Sequence, residues 1–90
     1  MKIRMQYSFT GFVQGVGFRY TALYAAQSLG LSGFVRNEDD GSVTVQVQGE
    51  EAVIRKFLDK LGSGRWIRIE GISSRKMELI PEEREFYIDY

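Results

Sequence analysis

The run Gly11-Phe12-Val13-Gln14-Gly15-Val16-Gly17-Phe18-Arg19 holds the residue types from which an anion site is made. An alternating apolar segment ends there in a glycine-bearing turn, and helical spacing begins just beyond it. Such a turn points consecutive backbone N–H groups into one concavity, and a helix N-terminus behind it adds a partial positive charge. Arg19 stands at the helix entrance, where its guanidinium fork can grip two oxygens of a phosphate or carboxylate at once.

Composition narrows what such a site could do. The chain has no Cys and no His. It therefore lacks a thiolate nucleophile, a thiolate metal site, a disulfide framework and the usual acid–base side chain. Twelve Lys plus Arg balance twelve Asp plus Glu, so any anion selectivity has to be local, with no overall field to attract nucleic acid or an anionic membrane. Met1-Lys2-Ile3-Arg4 runs straight into a strand pattern with no long apolar segment behind it, so no signal peptide or membrane span is expected and a cytoplasmic protein is the default reading. Ninety residues, 43% of them hydrophobic, suffice for one core and not for two, which predicts a single domain over residues 1–90.

The elements that must position the site follow from periodicity. Ile3, Met5, Tyr7, Phe9, Gly11 and Val13 alternate with Arg4, Gln6, Ser8, Thr10 and Gln14, the pattern of a strand with one buried face, broken only by Phe12. Ala22, Ala25, Ala26 and Leu29 fall at helical spacing and Gly30 sits where a C-terminal cap belongs, predicting a helix from about Tyr20 to Leu29. Strands are expected over residues 33–38 and 42–48, joined by a tight turn at Asp40-Gly41. Ile54, Phe57, Leu58 and Leu61 mark a second helix, with Glu50 and Glu51 in its first turn, Lys60 in its last and Gly62 after it. Glu51 with Arg55, and Arg55 with Asp59, are spaced as i, i+4 charge pairs. A fourth strand is expected from Trp66 to Ile72, extending to Met77, with Trp66 packed beside the second helix, and a short last strand over residues 86–90. Pro81 and the charged run Glu82 to Glu85 read as a turn and a solvated loop. The order β-α-β-β-α-β predicts an α+β fold, a ferredoxin-like split βαβ sandwich with an antiparallel sheet and both helices on one face.

With these pieces in order, the chain resembles the acylphosphatase family over nearly its whole length. The family's loop string V-Q-G-V-G-F-R stands unbroken from Val13 to Arg19. Its second motif, glycine and an aromatic leading to an Asn and then an Asp-Gly turn, stands as Gly33-Phe34-Val35-Arg36-Asn37 followed by Glu38-Asp39-Asp40-Gly41. The resemblance implies hydrolysis of a carboxyl–phosphate mixed anhydride to a carboxylate and inorganic phosphate. It implies a phosphate cradle at Gln14, Gly15, Val16, Gly17 and Phe18, with Arg19 as the phosphate-binding catalytic residue and Asn37 as the holder of the attacking water. It further implies a monomer that needs neither metal nor cofactor, with an acyl phosphate and inorganic phosphate as its small-molecule partners. Phe12 occupies a position that members often fill with a polar or basic residue, a difference at the rim of the site.

Other readings of the same residues are weaker. Glu38, Asp39 and Asp40 could be taken for a metal cluster, but adjacent carboxylates at a hairpin tip are usually solvated. Tyr7, Phe9, Phe12, Phe18, Tyr20 and Tyr24 could suggest stacking of bases on a sheet, yet no basic stripe accompanies them and Phe9 belongs to the core face. Gln14 reads either as a ligand contact or as a solvent residue at a strand end. The alternative from a different class is a phosphate- or carbamoyl-phosphate-binding regulatory module that keeps the cradle and turns over slowly, since this domain type can be embedded in larger carbamoyl-transfer proteins. The end of the sequence at Tyr90 favours the free-standing enzyme.

Overall fold

The computed structural model describes residues 1–90 and opens with the expected strand, β1 (Lys2–Phe12). Its alternation does what the pattern requires: Tyr7 and Phe9 are buried, and Ile3 and Met5 are partly buried against the same core. The helix that follows, α1 (Phe18–Leu29), buries Ala22, Ala25 and Ala26 and ends in a left-handed Gly30, with the Leu31 N–H closing the cap on the Ala26 oxygen at 2.9 Å. It starts two positions before the expected Tyr20. Phe18 is drawn into the helix by burial, its ring 5.1 Å from that of Phe9, and this contact pins the first turn of α1 to β1.

Two strands and a helix come next: β2 (Ser32–Asn37), β3 (Val43–Glu50) and α2 (Glu51–Leu61). Val43, Val45 and Val47 of β3 are fully buried beneath Ile54, Phe57 and Leu61 of α2 and the alanine stripe of α1, so one sheet face and two helices enclose a single core. On α2, Arg55 turns to Glu51 at 3.4 Å and makes no ion pair with Asp59. The chain then adds β4 (Arg68–Met77) and β5 (Phe86–Ile88). No helix is long and apolar enough to cross a membrane.

The sheet order is β4-β1-β3-β2-β5. Every neighbouring pair is antiparallel except the last, in which β5 runs parallel to β2 with Gly33 opposite Phe86, so the sheet is mixed where an antiparallel one was expected. The reason is the route of the chain. After β4 it crosses the helix-free face of the sheet and enters the far edge beside β2, running the same way as that strand. Glu82, Arg84 and Glu85 are exposed as a solvated loop should be, but Glu83 departs from that reading: it makes a two-pronged ion pair with Arg4, at 2.7 and 3.2 Å, and the Arg4 side chain is only 2% exposed. Gln48 clamps the same segment from below by bonding both the N–H and the oxygen of Ile80.

Trp66 is also displaced from its expected place. It precedes β4, is 69% exposed and lies under the Arg65 guanidinium at 5.2 Å, while Ile67 takes the inward position against the core. Two glycines leave no room for a side chain in the sheet, and one on Gly33 (φ 138°) would run into the Gln46 oxygen of β3. The β1–β4 register slips between Thr10 and Gly11, and there a side chain on Gly11 (φ 119°) would run into the Arg68 oxygen.

Candidate active site

Residues 13–17 link β1 to α1 without regular structure, and their conformation is set by two glycines in the left-handed region, Gly15 (φ 73°) and Gly17 (φ 81°). Gly17 serves as the N-cap of α1 and offers no side chain to satisfy the helix's first amides. None of the backbone N–H groups from Gln14 to Tyr20 has a protein acceptor; the first that does is that of Thr21, bonded to the Gly17 oxygen at 3.0 Å. A row of free donors ahead of a helix N-terminus is an oxyanion receptor on electrostatic grounds.

Beside this loop lies a hollow of about 100 Å³ walled by Val13, Gly15, Gly17, Phe18, Arg19, Tyr20 and Asn37. Gly15, Gly17, Phe18, Arg19 and Asn37 are thus brought together around one space, whereas the side chains of Gln14 and Val16 lie outside its wall. Tyr20 and Val13 belong to the wall without having been expected there. Tyr20 could have been anticipated, since it follows Arg19 on the same first helical turn. Two larger hollows, of about 320 and 430 Å³, contain none of the motif residues.

Arg19 makes no ion pair with any carboxylate; its guanidinium carbon sits 5.4 Å from the centre of the Tyr90 ring. Its charge is therefore unspent. Asn37 ends β2 opposite Val43, and its Oδ1 is buried with no hydrogen-bond partner, the one side-chain polar atom in the protein so placed. An orphaned buried acceptor costs about 1–3 kcal/mol, and such groups persist where a ligand or water is to satisfy them.

The side chain of Gln14 bonds within the protein. Its Nε2 donates to the Glu38 oxygen at 2.7 Å and to the Ser42 oxygen at 2.9 Å, tying the cradle loop to the turn that follows Asn37. That turn is itself braced. The Glu38 carboxylate accepts from Thr44 Oγ1 at 2.6 Å and from Arg36 Nε at 3.1 Å, and these bonds, the one to Thr44 foremost, hold its pKa below the ordinary carboxylate value. Arg36 reaches on to Asp89 at 3.1 Å beyond the end of β5. Asp40 accepts from the N–H and hydroxyl of Ser42, which lowers its pKa as well. Two of the three hairpin carboxylates are thus committed to shaping the turn, and no group of three or more His, Cys, Asp or Glu side chains is placed to hold a metal ion.

Residues 5–88 match the Acylphosphatase family model. The chain belongs to the acylphosphatase family. It is 40% identical over 85 residues to an acylphosphatase of Clostridium perfringens, covering 93% of this chain and 96% of that protein. The crystal structure of the acylphosphatase from Bacillus subtilis superposes with a TM-score of 0.90 at 31% identity over the whole of both chains. Full-length HypF in its phosphate- and nucleotide-bound form matches with a TM-score of 0.89 at 30% identity, over all of this chain and 12% of that one. A domain of this structure thus occurs both as the whole of one matched chain and as a small part of another.

Proposed function

We propose that this acylphosphatase-family chain hydrolyses acyl phosphates by in-line attack of a water held by Asn37 on a phosphoryl group held by Arg19 and the Gln14–Phe18 amides. The observation that carries the proposal is the conjunction, in the wall of one small hollow, of an unpaired guanidinium with a buried Asn oxygen that has no partner. A binding module needs the cation and the amides. It has no use for an orphaned acceptor beside them.

The chemistry matches those parts. The water oxygen bonds to phosphorus while the phosphorus–oxygen bond to the acyl group breaks, its electron pair leaving with the carboxylate. The acid of that leaving group has a pKa of roughly 4, so it departs at neutral pH without a general acid. A chain lacking His and Cys can therefore run the reaction. What remains is to stabilise charge on the transferring oxygens and to orient the water. Arg19 and the loop amides do the first. Asn37 does the second, its Oδ1 accepting a proton bond from the water, which fixes the water without strongly deprotonating it. The water's protons leave with phosphate and solvent. No step calls for a metal, and every group invoked comes from one chain, so turnover does not require a second copy.

The test is steady-state hydrolysis of benzoyl phosphate by chelator-treated protein. Turnover well above the buffer rate is expected. A rate equal to buffer, with inorganic phosphate still bound, would favour the regulatory-module reading that the match to HypF keeps in view.

A further inference from the structure

The hollow beside the loop, about 100 Å³, is small against the roughly 300–1,000 Å³ of sites that enclose a drug-sized ligand. It suits a phosphoryl group and leaves the acyl group of a substrate outside. What that group would meet depends on the rim, and the rim is aromatic. Tyr20 walls the hollow and is half-exposed, and Tyr24, 6.3 Å from it, continues the aromatic surface along α1. Tyr90 lies over the Arg19 guanidinium and is 87% exposed. Tyr20 follows Arg19 on α1 while Tyr90 packs on the Arg19 guanidinium, so the two rings flank one residue of the hollow's wall. Neither ring is part of the core, and burial in the fold does not account for them.

We propose that Tyr20 and Tyr90 form an acyl subsite that favours flat aromatic acyl groups over small aliphatic ones. The inference rests on the reading of the hollow as the phosphoryl site. A phosphoryl group gripped by Arg19 brings the atoms bonded to it within reach of whatever stacks on Arg19, and that is the Tyr90 ring. An aromatic pair contributes about 0.5–1.5 kcal/mol beyond its area, equivalent to roughly two- to tenfold in affinity.

The probes are acetonylphosphonate and phenacylphosphonate, in which a methylene replaces the bridging oxygen so that neither is hydrolysed. Calorimetry on the wild type should give a dissociation constant about five- to tenfold lower for phenacylphosphonate. Tyr20→Ala and Tyr90→Ala should each shrink that preference to about twofold or less, whereas Tyr90→Phe, which keeps the ring, should retain it. A wild type without preference, or alanine variants that keep it, would overturn the proposal. So would a Tyr90→Ala protein that loses affinity for both phosphonates and for inorganic phosphate by the same factor, because Tyr90 would then only steady Arg19. Absence of benzoyl phosphate hydrolysis with the ratio intact would instead count against the catalytic reading alone.

Discussion

In the proposed mechanism Arg19 and Asn37 divide one reaction between a charge and an orientation, and the division can be measured. Arg19→Lys keeps the charge but loses the planar fork, so kcat/KM should fall by the equivalent of about 2–4 kcal/mol, as when one preorganised oxyanion donor is removed. Wild-type kcat/KM in that variant would take Arg19 out of the site. Asn37→Ala removes the orphaned Oδ1 and should lower kcat by a factor on the order of a hundred while inhibition by inorganic phosphate stays nearly constant. Parallel loss of phosphate affinity would make Asn37 a phosphate ligand. That both residues belong to one place was legible in the sequence because each sits in a motif whose spacing survives intact. Tyr90 was not, because it lies far along the chain from Arg19 and meets it only through the edge strand β5. The role of Gln14 was half legible: its type promised hydrogen bonds, but its acceptors are backbone oxygens of another element, which carry no sequence signal.

At the level of elements, the site depends on two connections held at a fixed distance: the loop from β1 to α1, and the turn from β2 to β3. Gln14 is the strut between them. In a Gln14→Leu variant the two acceptors keep backbone donors, since the Glu38 oxygen still accepts from Gly41 N–H at 3.2 Å and the Ser42 oxygen from Glu38 N–H at 2.9 Å. The stability loss should therefore stay near 1 kcal/mol, without the larger cost of stranded buried groups. Activity should suffer more, about tenfold or beyond in kcat/KM, because the cradle is no longer registered against Asn37. Thermal melts and kinetics on one preparation would separate the two effects, and activity within twofold of wild type would refute the strut. Element types and order followed from period and turn residues alone. The start of α1 did not, because Phe18 joins the helix through a tertiary contact with Phe9 that local propensity does not encode. Trp66 misled for a related reason, since its aromatic character suits a strand interior equally well and only Ile67's claim on the inward position excludes it.

For the molecule as a whole, the less obvious feature is the strap of residues 78–85 across the helix-free sheet face. Its charged composition reads as solvated loop, yet Glu83 neutralises a buried Arg4, and only the crossing route of the chain brings them together. Removing one partner strands a buried charge, so Glu83→Ala should destabilise the fold by about 3 kcal/mol, or roughly 12–24 °C in Tm for a domain this small. The double variant Arg4→Met, Glu83→Leu should recover more than half of that loss, and additive losses would contradict the pairing. The central claim, that the residue 14–19 cradle is a phosphate site completed by Arg19, is tested most directly by the stability of the whole fold, without assuming any substrate. A ligand that binds only the native state stabilises it by RT ln(1 + [L]/Kd), so inorganic phosphate at about ten times its Kd should add roughly 1.4 kcal/mol, or about 6–11 °C in Tm. At constant ionic strength, wild type and Asn37→Ala should both show this shift and Arg19→Ala should show little of it. Equal stabilisation of all three proteins by chloride would contradict the account.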